Sequence, residues 1–171
     1  MEKKRIHILT TGGTIEKSYC EYEGDLKNRE SLLERKLLQK LRLPYTEVKL
    51  TSLMAKDSLY MTDEDREMIW QSVQGLFKGG DPILILHGTD TMENTIQYLY
   101  SKDPKPPIAV VFTGAMKPVG FDDTDAHQNF IEAFVLAQYV QPGYYISFHN
   151  HLFPAPKVRK NRDTGTFEST F

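Results

Sequence analysis

The sequence predicts an α/β fold, a single three-layer domain whose mostly parallel sheet carries helices on both faces. Two observations lead there. Apolar runs of strand length, such as Ile83-Leu84-Ile85-Leu86 and Ile108-Ala109-Val110-Val111-Phe112, alternate with stretches of helical period. The chain has 171 residues, and folding at that length buries about 70% of the surface that the unfolded chain exposes, enough for a full core.

Each element has its own signal. Ile6-His7-Ile8-Leu9 reads as a buried first strand. Residues 15–30 are long and polar, and are expected to form a mobile loop. Residues 31–43 read as a helix: Ser31 and Glu34 fit a capping box, Leu33, Leu37 and Leu41 share a face, and Pro44 comes directly after. A strand is expected near 45–54. Thr62 and Asp65 open another helix, with Ile69, Val73, Leu76 and Phe77 inward and Gly79-Gly80 as its stop. Pro82 to His87 is a strand, and 90–101 a helix carrying Met92, Ile96, Leu99 and Tyr100. Ile108 to Phe112 is a strand, Phe130, Phe134, Ala137 and Val140 mark a helix, and Tyr145 to Phe148 is a strand. No repeat or linker divides residues 1–171, so they read as one domain.

Composition excludes several functions. With 21 basic and 23 acidic side chains the net charge is −2, so no global field recruits nucleic acid or an anionic membrane. A single cysteine, Cys20, forbids an intramolecular disulfide and fits a reducing compartment. The apolar runs fall short of the ~18 residues of a spanning helix. Met1-Glu2-Lys3-Lys4-Arg5 resembles the start of a signal peptide, but Thr10-Thr11-Gly12-Gly13 interrupts the apolar run behind it, so a cytoplasmic location is expected. His149 and His151, at strand alternation, make no complete metal site. Asp122-Asp123-Thr124-Asp125 lacks the glycine and closing glutamate of a calcium loop and reads as a turn or helix cap. Lys157, Arg159, Lys160 and Arg162 read as a solvated hairpin. No metal or cofactor is expected.

In such a fold the ligand sits at the carboxyl ends of the strands. The first strand leads into Thr11-Gly12-Gly13-Thr14-Ile15. Two later strands lead into His87-Gly88-Thr89-Asp90-Thr91-Met92-Glu93-Asn94 and Thr113-Gly114-Ala115-Met116-Lys117-Pro118. Glycine lets backbone approach a ligand, and threonine supplies a hydroxyl. A nucleotide phosphate is excluded: no Gly-Lys-Ser/Thr comes after Gly12-Gly13, and no third glycine completes a dinucleotide fingerprint. Hydroxyl chemistry with a carboxylate remains. A threonine hydroxyl is a weak nucleophile and needs a base, which Asp90 and a lysine elsewhere can supply as a relay. The start of the helix after Asp90 offers N–H groups to a substrate carboxylate.

These motifs resemble those of the bacterial-type L-asparaginases, threonine amidohydrolases, over nearly the whole chain. Asp57-Ser58 before Met61-Thr62 is similar to that family's substrate-carboxylate loop. The resemblance implies hydrolysis of L-asparagine to L-aspartate and ammonia through an acyl-enzyme. It makes Thr14 the nucleophile, Thr89 the second catalytic threonine, and Asp90 the group that orients the substrate's α-amino group and the relay. Asp57 and Ser58 would hold the α-amino and α-carboxylate groups. Gly88 would line the site, and the Ala115 carbonyl would accept from the side-chain amide. The relay lysine is matched to Lys160, with Lys157 the alternative, and the loop tyrosine to Tyr19, with Tyr22 the alternative.

There are departures. Glu16 stands where the family often has a small residue, Lys117 where arginine is common, and Asp125-Ala126-His127-Gln128-Asn129 where Asp-Gly-Pro is usual. Relatives are longer and complete the site with a second domain across a dimer interface, so a short form without that domain is expected. A homodimer is expected too, with Tyr98, Tyr100 and Tyr139 as exposed anchors. Two other functions fit the motifs: a non-catalytic amino-acid or dicarboxylate binding domain, and an amidase subunit of a tRNA-dependent amidotransferase.

Overall fold

A computed structural model describes residues 3–20, 22, 25–28 and 36–171, with residues 18–20 and 25–28 described by their backbone. In chain order the strands are β1 (Lys4–Thr10), β2 (Lys17–Cys20), β3 (Asp25–Asn28), β4 (Thr46–Ser52) and β5 (Ile83–Leu86). They continue with β6 (Ala109–Thr113), β7 (Gly143–Phe148), β8 (His151–Pro154), β9 (Val158–Asn161) and β10 (Thr166–Ser169). The α-helices whose full range is described are α1 (Asp63–Leu76), α2 (Met92–Lys102) and α3 (Ala126–Ala137).

The main sheet runs β4-β1-β5-β6-β7-β8, parallel throughout except that β8 is antiparallel to β7. Every residue of β5 and β6 is buried, because helices cover both faces. The two-residue period of a strand then divides the core. Leu9, Ile83, Ile85, Val110 and Phe112 meet Ile69, Trp70 and Val73 of α1 and Met92, Ile96 and Leu99 of α2. Ile6, Ile8, Leu84, Leu86 and Val111 meet Phe130, Ala133, Phe134 and Ala137 of α3. Helix α1 begins with the expected reciprocal cap, Thr62 with Asp65, and the turn after it closes at Gly80 in the left-handed region (φ 74°).

Several expectations need correction. Of the helix expected over 31–43, residues 31–35 lie outside the described residues and Lys36 is α-helical, but the helix does not run on to 43: a short 3-10 turn, Leu38–Lys40, comes next. The stretch 15–30 contains an antiparallel ribbon, β2 with β3, because backbone pairing does not require apolar side chains. His149 and His151 do not share a strand. His149 (φ 47°) and Asn150 (φ 61°) form the tight β7–β8 turn, where two left-handed residues match the twist of the hairpin. Side chains of α3 hold that turn: His149 N donates to Asn129 Oδ1, and Asn150 N to Glu132 Oε2. Tyr98 and Tyr100 are not exposed anchors, since both pack against the core and the Tyr98 hydroxyl donates to Glu67. Tyr139 is exposed.

Candidate active site

The loops beyond β1, β4, β5 and β6 meet at one edge of the sheet, and glycines let them touch. A Cβ on Gly13 (φ 89°) would lie 2.5 Å from the Gly88 Cα, and one on Gly88 would lie 2.4 Å from the Ser58 Oγ. On Gly12 (φ 96°) it would strike the Lys56 N at 2.4 Å, and on Gly114 the His87 O at 2.3 Å. Backbone therefore packs on backbone at Gly12, Gly13 and Gly114 and on the Ser58 side chain at Gly88, approaches that a Cβ would block. Thr11 and Thr113 are structural: their hydroxyls donate to the Leu86 and Ser147 carbonyls at 2.9 and 2.8 Å.

The β9–β10 ribbon closes the edge. Alternation along β9 buries Val158, turns Arg159 outward to Glu168, and turns Lys160 inward. The Lys160 Nζ donates to Thr89 Oγ1 and to Asp90 Oδ1, at 2.8 Å each. Arg162 Nη1 reaches the same Asp90 oxygen at 3.0 Å, and the Lys160 N–H donates to the Glu93 carboxylate. Thr89 is 4% exposed, so its hydroxyl is held in place and shielded. Lys157 is exposed, on the turn before β9. The sequence-expected group thus divides, with Thr89, Asp90 and Lys160 together in one cluster.

Thr14, half-buried, opens a 3-10 turn (Thr14–Glu16) directly after Gly13, so its loop lies against that of Gly88. Glu16 replaces the family's small residue with a built contact: its buried carboxylate accepts from the Gly12 N–H at 2.6 Å. Asp57 caps another 3-10 turn (Ser58–Tyr60), its Oδ1 accepting from Leu59 N, while its Oδ2 takes the Lys17 Nζ at 2.8 Å. Ser58 and Ala115 are buried beside Gly88 and Gly114. The Tyr19 side chain lies outside the described residues; Tyr22 is exposed.

Three further groups support the site and carried no part in it in the sequence reading. His87 is wholly buried, and burial pushes its pKa down to about 4. The Gly88 carbonyl can only accept, so His87 Nδ1 carries the proton, and Nε2 accepts from the Thr95 hydroxyl at 2.8 Å. Asp125 takes the Met116 and Lys117 N–H groups, the Asn129 side-chain amide and His149 Nε2. Burial raises its carboxyl pKa, but those donors outweigh it and hold the group below the usual carboxylate range. Asn129 also donates to the Gly114 carbonyl at 3.0 Å, so α3 clamps the whole β6 loop. Asp125 stands at the expected helix cap, yet its carboxylate serves this loop; Thr124 accepts from the Ala126 N–H instead. Among the described residues no group of three His, Cys, Asp or Glu is placed to hold a metal, and no helix is long and apolar enough to cross a membrane.

A doubly covered parallel sheet with a threonine-lysine-aspartate cluster at its carboxyl edge, and a second threonine on the adjoining loop, defines an α/β protein with a hydroxyl-based site. The family model "Asparaginase, N-terminal" matches residues 5–170, and the chain belongs to the asparaginase family. It is 31% identical over 163 residues to L-asparaginase of Thermococcus kodakarensis, covering 94% of this chain and 49% of that protein. With L-asparaginase 1 of Escherichia coli it shares 30% over 175 residues, 96% of this chain and 50% of the relative. The solved structure of the thermostable L-asparaginase from Thermococcus kodakarensis superposes with a TM-score of 0.85 at 29% identity, over 96% of this chain and 51% of that one. The chain therefore spans about half the length of the curated relatives it matches.

Proposed function

We propose that residues 1–171 form a single asparaginase-like α/β domain that hydrolyses L-asparagine to L-aspartate and ammonia through an acyl-enzyme on Thr14. The observation that carries this reading is the Lys160 ammonium bonded at once to Thr89 and Asp90. Thr14 Oγ1 adds to the side-chain amide carbon, and its proton passes to the Tyr19 oxygen as that phenol hands its own proton on toward the amide nitrogen. Backbone N–H groups of the strand-end loops stabilise the oxyanion. The intermediate collapses, the C–N bond breaks, and the leaving nitrogen takes a proton to depart as ammonia. Water, positioned by Thr89 and the Lys160–Asp90 pair, then attacks the ester. It releases L-aspartate and returns a proton to Thr14.

Asp57, Ser58, Gly88 and the Ala115 carbonyl form the substrate side of this site. Glycine contacts of this kind fix the attacking and receiving groups before substrate arrives, which is where much of the rate gain of such enzymes originates. The proposed setting is the cytoplasm, with the chain as a homodimer. Ammonia release from millimolar L-asparagine by the folded chain tests the activity; none at all refutes it. Light scattering at assay concentration tests the dimer, which a clean monomer of 19.7 kDa would refute.

A further inference from the structure

Lys17 opens β2 three residues after Thr14, and its ammonium lies on Asp57 Oδ2 at 2.8 Å. The pair is shielded, with the two side chains 22% and 29% exposed. The hydrogen bond from Lys17 is the main cause that holds the Asp57 carboxyl below its ordinary pKa, with the Leu59 N–H adding to it against the opposing effect of burial. Since Oδ1 accepts from Leu59, Oδ2 is the oxygen turned toward a cation.

In the proposed amidohydrolase, Asp57 receives the substrate's α-ammonium together with Asp90. Asp57 Oδ2 already holds an ammonium of the same charge. We infer that Lys17 competes with the substrate's α-ammonium for Asp57, and so sets how strongly this chain favours an ω-amide carrying that group over one lacking it. This inference rests on the proposed amidohydrolase site. Two ammonium groups on one carboxylate repel each other in a shielded setting, so the α-ammonium of L-asparagine binds Asp57 more weakly while Lys17 stays there. Succinamate, the same amide without the α-ammonium, leaves the ion pair intact. Because Lys17 directly continues the turn that begins at Thr14, occupancy of the subsite and the placement of that turn are coupled.

The test is the ratio of kcat/KM for L-asparagine to that for succinamate, in the unaltered chain, Lys17→Met and Lys17→Arg. Removing the competing charge should raise the ratio about tenfold, the effect of a modest, partly shielded ion pair. The change should lie in KM for L-asparagine, and Lys17→Arg, which keeps the charge, should restore the original ratio. An unmoved or lowered ratio in Lys17→Met overturns the inference, as does an equally raised one in Lys17→Arg. If no variant hydrolyses either amide, it is the activity reading that has failed. Calorimetry with L-aspartate and succinate then decides the inference. Selective tightening of L-aspartate in Lys17→Met upholds it; equal change in both, or no binding of either, overturns it.

Discussion

The two sides of the proposed active site, relay and nucleophile, are built differently. On the relay side, Thr89, Asp90 and Lys160 hold one another, His87 is locked beneath them by Gly88 and Thr95, and Asp125 with Asn129 ties down the β6 loop. Each of these polar groups already has its partner inside the protein. On the nucleophile side, Thr14 sits on a short turn steadied by the Glu16 contact to Gly12 and by the Lys17–Asp57 pair. A network whose members each bond several others is costly to break at any member, whereas a single ion pair gives way for less. The contrast assigns pre-organisation to the relay and adjustment to the nucleophile.

Removing a relay member tests that contrast most severely. Thr89→Val and Lys160→Met should each lower kcat by about 10³-fold or more, and the double variant should be hardly worse than either, because the groups act as a unit. Steady-state ammonia release measures all of these; additive losses would break the unit. Thr14→Ala should instead abolish the covalent adduct seen by intact-protein mass spectrometry after acid quench, whereas Thr89→Val should leave Thr14 as the site of any adduct.

Acid should weaken the relay side from beneath. The unfolded chain protonates the His87 imidazole near 6.5, whereas the folded chain does so only near about 4. Its contribution is therefore complete above pH 6.5 and is lost as the pH falls from 6.5 toward 4, by about 3 kcal/mol in all. His7, also lowered by burial, acts in the same direction. Urea unfolding at pH 7 and 4.5 reads the loss, and His87→Gln should flatten most of the slope. Asp125→Ala should cost about 2–3 kcal/mol at pH 7, since it strands the Met116 and Lys117 N–H groups, and urea midpoints would show it. Smallest of all, Lys157→Met should leave kcat/KM within about twofold, because an exposed lysine of this kind contributes little.

Local signals in the chain were enough for the alternation of strands and helices, the glycine-threonine loops at the strand ends and the Thr62–Asp65 cap. Those features depend on neighbours a few residues apart, where hydrophobic period and turn chemistry act. Which side chains meet was settled only by packing in three dimensions. Lys160 lies 71 residues from Thr89, and only the register of the β9–β10 ribbon turns it, rather than Lys157, into the site. Lys17 and Asp57 are 40 residues apart, and no spacing rule links them. His87 and Asp125 were visible as residues but not as supports, because burial and the reach of a carboxylate to another loop's N–H groups are properties of packing. Tyr98 and Tyr100 went inward for the same reason: their helix lies on the sheet between α1 and β7, and that face exists only once the sheet has formed.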